Sequence, residues 1–286
     1  METNQSEQKE INGKEIAIAE VENNAMLNVE QAEINQQIAT AKKWPRSLTK
    51  FREKALAMAT MDQDVAASCF YVLPRGGKNI EGPGVRLAEI MAAAYGNMRF
   101  GARMTGDDGK YVVAQGAAFD LENNVAMTLE VRRRITDRYG KRYNDDLIAL
   151  TANAACSIAL RNAIFRVIPK AFVEPIYKAA KEAAIGTVAT LSTRREKMLA
   201  HFAKMGVDKE RIFAAMEVKG IDDIDLSLLE KLIGISTAIK DGEVNVDFAF
   251  PALGTVSEEP AASKTEAVAK KMKKTKEDLF EREPGE

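Results

Sequence analysis

Six cations crowd EVRRRITDRYGKRY, residues 130–143: Arg132, Arg133, Arg134, Arg138, Lys141 and Arg142. Guanidinium groups bind phosphate as two-pronged forks, and Tyr139 and Tyr143 interleave aromatic faces on which bases stack. Together they suit a nucleic-acid backbone. Counting by twos along NVAMTLEVRRRI puts Val125, Met127, Leu129, Val131, Arg133 and Ile135 on one strand face and Ala126, Thr128, Glu130, Arg132 and Arg134 on the other. The apolar face is expected to pack on helices, so Arg132 and Arg134 project together, with Arg138, Lys141 and Arg142 in the adjoining hairpin. A solvated, salt-bridged hairpin is the plainer alternative.

Other polar residues recur at telling intervals. Arg75 and Lys78 flank the double glycine of PRGGK, and Arg86 lies in the first turn after GPG, where backbone N–H groups offer a second contact for an anion. Asn153, Ser157 and Arg161, four residues apart, make one polar stripe on an apolar helix. A satisfied buried network or a subunit contact explains that stripe as well as a ligand does. Enzyme signatures are mostly missing: GDDGKY and INGKE both depart from a P-loop, which argues against ATP-driven strand exchange. The acidic pairs Asp107-Asp108, Asp120/Glu122 and Asp145-Asp146 fall at turns or helix starts, where capping accounts for them. Glu217-Val-Lys219 has a nuclease-like spacing but no matching strand Asp.

Composition narrows the classes. The 286 residues carry a formal net charge of −1, yet residues 1–40 hold eight acids against two bases, while residues 130–170 hold nine bases against four acids. Charge is therefore segregated along the chain. Cys69 and Cys156 form no CxxC, and His201 is the sole histidine, so a disulfide framework, a zinc site and a Ser/His/Asp triad are not expected. No cofactor is called for. No run approaches the roughly 18 apolar residues of a spanning helix, and the opening METNQSEQKEINGKE lacks a secretory pattern, so a cytoplasmic protein with no membrane partner is expected.

The elements that position these groups follow from periodicity. Residues 1–40 read as a disordered or weakly helical acidic arm. Ser47 is a candidate N-cap for the helix LTKFREKALAMATM. A short element, DVAASCFYVL, ends at Pro74; PRGGKNIEGPG reads as a loop; and VRLAEIMAAAYG as a helix. MRFGARM, KYVVAQGAAFDL and NVAMTLEVRRRI then alternate as strands separated by GDDG and ENN, which predicts an antiparallel β-meander. Asn144 caps a long helix that Pro169 stops. The expected fold is α+β: a meander packed against that helix within a core of residues 41–185, then an all-helical module over 190–248 and a flexible tail over 249–286.

The runs PRGGKNIEGPGVRLAEI and IALTANAACSIALRNAIF, with the strands between them, resemble the phage-type single-strand DNA annealing proteins of the RecT, Red-beta and Erf group over about residues 45–180. The resemblance implies ATP-independent binding and annealing of complementary single strands in a bacterial host cell, by subunits assembled into rings or helical filaments. It implies a DNA groove with Arg132, Arg134 and the 138–142 cations on one side and Arg161 and Arg166 on the other. It also implies that a module over 192–245 contacts a single-strand-binding protein. Two other classes stay open: a non-catalytic structural or replication accessory oligomer, and a metal-dependent nuclease.

Overall fold

A computed structural model describes residues 28–75, 78–137 and 139–252. The acidic arm up to residue 27, the tail from 253 and Arg138 lie outside the described residues. Residues 28–43 are helical (α1), so the later part of the expected arm is a helix. Next come α2 (Leu48–Ala59), α3 (Gln63–Ser68), β1 (Phe70–Arg75), β2 (Lys78–Pro83), α4 (Val85–Tyr95), β3 (Met98–Asp107), β4 (Tyr111–Asp120), β5 (Val125–Arg134) and α5 (Asp145–Val167). After these follow α6 (Lys170–Ile185), α7 (Leu191–Lys204), α8 (Lys209–Met216), α9 (Leu226–Lys240) and the single turn α10 (Val246–Ala249). The fold is α+β, with one two-stranded and one three-stranded antiparallel sheet among the helices.

Local chemistry sets the helix ends. Ser47 Oγ accepts from the Lys50 N–H and Asn144 Oδ1 from the Leu147 N–H at 2.9 Å, satisfying donors that a helix start leaves orphaned. Gly96, at φ +66°, follows the last residue of α4. PRGGKNIEGPG is corrected from a loop: β1 and β2 pair antiparallel from Phe70↔Pro83 to Arg75↔Lys78, with Pro74 inside the ribbon. A two-stranded ribbon has only edges, and an edge strand accommodates a residue that lacks an N–H. DVAASCFYVL accordingly splits into α3 and β1.

β3, β4 and β5 pair in chain order. Val112, Ala114 and Ile135 bury against Ala155 and Ala159 of α5. The approach is close: a Cβ on Gly116 would stand 2.2 Å from the Ala159 carbonyl, so only glycine fits there. α5 is also, among the described residues, the one helix long and apolar enough to cross a membrane by length and composition, with mean hydropathy 1.4, which corrects the expectation that no run approaches that length. Its buried residues include Ala154, Ala155, Ala159 and Ala163, and a buried Arg161 sits in their midst.

The helices after residue 190 share a core with what precedes them. Phe202, Ile212, Leu229, Leu232 and Phe250 form one apolar cluster with Ala66, Phe70, Val72 and Ala184. α9 crosses β1 so closely that a Cβ on Gly234 would lie 2.4 Å from Val72 Cγ2. A polar joint ties the start of α2 to the end of β4: Arg46 donates to both oxygens of buried Asp120, at 2.7 Å to Oδ2, and lies 3.7 Å from the Tyr95 ring centre.

Candidate nucleic-acid interface

The pleat gives the three-stranded sheet two unlike faces. Val112, Ala114, Gly116 and Ala118 of β4 are buried on the α5 side, which leaves Tyr111, Val113, Gln115, Ala117 and Phe119 on the other. Strand register then fixes their neighbours on that open face. On β3, Arg99 lies beside Phe119, Gly101 beside Ala117 and Arg103 beside Gln115. On β5, Thr128 lies beside Ala117, Glu130 beside Gln115, Arg132 beside Val113 and Arg134 beside Tyr111. Four arginines, Arg99, Arg103, Arg132 and Arg134, thus share a face with one acid, Glu130, around half-buried Tyr111 and Phe119. Fork-shaped donors on such a face can hold the phosphates of a strand.

Arg99 and Arg103 are the residues the sequence reading passed over. The signal was present in MRFGARM, where period two sets Arg99, Gly101 and Arg103 against Phe100, Ala102 and Met104. Both arginines are exposed. Arg103 donates to Gln115 Oε1 at 3.3 Å, and neither has an ion-pair partner among the described residues.

The hairpin cations are less available. Arg132 donates to Asp108 at 2.7 Å and lies 5.1 Å from the Tyr111 ring centre. Arg142 grips Asp107 with both nitrogens, at 3.0 and 2.6 Å. That fork, with the Gly109 N–H, lowers the Asp107 carboxyl to about 2, and the Tyr111 and Lys110 N–H groups with Arg132 depress Asp108. Arg134 turns to Thr136 Oγ1 at 2.8 Å and to the Asp137 carbonyl, so it braces the hairpin that Thr136↔Arg142 closes. Lys141 is exposed, without an ion-pair partner among the described residues.

The remaining expected contacts are dispersed. Arg75 and Lys78 face each other as the last pair of the β1–β2 ribbon, where the two strands connect, both exposed. Arg86 is exposed and ion-paired to Glu89 within α4. Arg166 is exposed in the last turn of α5. Arg161 is corrected from groove contact to structural joint: it is 6% exposed, paired with Glu243, and 4.4 Å from the Tyr71 ring centre. A guanidinium already desolvated against a carboxylate has no face left for phosphate. On the polar stripe, Asn153 is exposed and Ser157 half-buried.

Arg133, on the α5 side of β5, donates to the Gly242 carbonyl at 2.9 Å and to Glu243 O at 3.4 Å. Burial lowers its pKa, with Glu243 opposing that shift. The loop after α9 is therefore held by two arginines, Arg133 and Arg161, from opposite partners of the sheet–helix layer. Burial pushes the Cys69 thiol up to about 12, so it is no ready nucleophile. Among the described residues no group of three His, Cys, Asp or Glu side chains is placed to hold a metal ion, and Glu217 of the nuclease-like spacing sits in the left-handed cap of α8. The chain matches no protein-family model, no curated protein and no solved structure.

Proposed function

We propose that this protein binds single-stranded DNA through the open face of the β3–β4–β5 sheet and anneals complementary strands without ATP, as in phage-type homologous recombination. The observation that carries this reading is the four arginines brought to one face around Tyr111 and Phe119, opposite the helix-covered face. The arrangement of three consecutive antiparallel strands backed by α5 supports the resemblance to the annealing-protein core. Phosphates seat on the guanidiniums, bases stay turned outward for pairing, and no base edge is read, so binding is sequence-independent. Among the described residues β3 and β5 are the outer strands of this sheet, which suits subunits standing side by side in a ring or filament. The helices over 192–245 are assigned to a single-strand-binding partner.

The accessory-oligomer reading keeps one specific support: Arg132 and Arg142 are already neutralised by Asp108 and Asp107. One assay separates the two. Two complementary dye-labelled oligonucleotides are mixed with the protein, without ATP, and energy transfer is followed at several salt concentrations. Acceleration over protein-free controls that fades with salt supports annealing; no acceleration moves the cations to subunit or partner contacts.

A further inference from the structure

A second basic patch lies away from the sheet face, where α1 meets α2. The segment AKKWPRSLTKFREK, residues 41–54, carries Lys42, Lys43, Arg46, Lys50, Arg52 and Lys54 against the single acid Glu53. Arg46 is consumed by Asp120, but the other five have no ion-pair partner among the described residues. Lys50 and Lys54 stand four apart on one flank of α2, a like-charge spacing that destabilises a helix unless an anion sits between them.

Between the first turns of α2 and the end of α4 opens a cleft of about 220 Å³, lined by Trp44, Lys50, Lys54, Tyr95, Gly96 and Asn97 among others. Trp44 is 61% exposed, which is unusual for the largest apolar side chain. Its backbone is nevertheless held firmly. Its N–H donates to the Thr40 carbonyl at 3.0 Å, its carbonyl accepts from Asn97 Nδ2 at 3.0 Å, and the Arg46 N–H donates to Glu122 at 2.9 Å. With its backbone already fixed, the indole has only side-chain rotamer freedom to lose on binding. Lys43 Nζ lies over one face of the indole, 4.7 Å from the ring centre, adding positive potential there and leaving the opposite face for stacking.

We infer that this cleft is a second single-stranded nucleic-acid site, with one base stacked on Trp44 and the neighbouring phosphates on Lys50 and Lys54. The inference rests on the nucleic-acid reading above, but uses none of the sheet-face residues. Stacking on an aromatic tolerates any base, so the site adds affinity without adding sequence preference.

Trp44 is the only tryptophan, so its emission reports on this cleft alone. The full chain is titrated with a labelled oligothymidine and with an abasic oligonucleotide of equal length, reading Trp emission and label anisotropy together. The expected result is strong quenching by oligothymidine, little by the abasic strand, and quenching that weakens in Lys50→Gln/Lys54→Gln. Trp44→Ala is expected to weaken binding by about 5- to 140-fold, with Trp44→Phe keeping most of it. Rising anisotropy with unchanged Trp emission overturns the second site and leaves the sheet-face reading standing. No anisotropy change with either strand overturns both. Quenching by polyglutamate but not by oligonucleotide reassigns the cleft to an acidic protein and overturns the inference.

Discussion

Replacing Arg99 and Arg103 together by serine tests the sheet face without disturbing the hairpin. Neither guanidinium has an ion-pair partner among the described residues, and only the Arg103–Gln115 hydrogen bond is lost, so the fold should persist. Each phosphate neutralised on a single strand contributes about −0.7 to the slope of log K against log salt. Removing two arginine contacts should therefore make the slope shallower by about 1.4, so that between about 50 and 200 mM salt the variant loses about 7-fold less affinity than the wild type. Anisotropy of a labelled oligothymidine over that range measures both, with circular dichroism as the control for folding. A slope that stays the same in a folded variant refutes the assignment of phosphate contacts to this face.

Four further outcomes follow from the geometry. Asp108→Asn keeps a side-chain acceptor for the Lys110 and Tyr111 N–H groups while releasing Arg132, so oligonucleotide affinity should rise at every salt concentration. Gly116→Ala drives a methyl into the Ala159 carbonyl and should cost at least the roughly 1–3 kcal/mol of an overpacked core, read by urea denaturation. Arg161→Ala strands the Glu243 carboxylate and should cost about 3–5 kcal/mol, whereas Arg161→Met with Glu243→Leu should be near neutral; equal losses in both would count against a buried pair. Asp241 has its pKa raised from 3.8 to about 6, first by burial and then by Glu243, and its Oδ2 has no hydrogen-bond partner among the described residues. Because the folded value lies above the unfolded one, its stabilising contribution is full below about 3.8 and is lost as pH rises through about 6. Asp241→Asn should remove that slope from urea midpoints measured between pH 4 and 7.

What the chain discloses in advance is what short-range chemistry decides. Ser47, Asn144 and Pro169 mark helix ends because a cap or a missing N–H acts within four residues. The alternation of NVAMTLEVRRRI assigns Arg132 and Arg133 to opposite faces, and the structure sends Arg133 to the carbonyls after α9. The β1–β2 ribbon was hidden because Pro74 and the glycines carry the same signal in a ribbon as in a loop. For Arg161 the apolar helix around it already allowed a buried network, but its partner was hidden, because Glu243 lies 82 residues away. The same holds for Arg46, whose carboxylate is 74 residues distant. Arg99 and Arg103 needed only the period-two count to be carried back one strand, but their value as a pair depends on register with β5, which is tertiary.

The triplet Arg132-Arg133-Arg134 resembles a uniform block of charge, yet its members face alternate sides of one strand. A single-residue insertion or deletion in the 121–124 turn would rotate two guanidiniums into the alanine-lined surface of α5 and swing the one that holds the 242–243 carbonyls out into solvent. Net charge would survive the loss of Asn123 or Asn124 unaltered. Natural variation at this hairpin should therefore be rich in substitutions and poor in length changes, a pattern that comes from the pleat and not from any individual arginine.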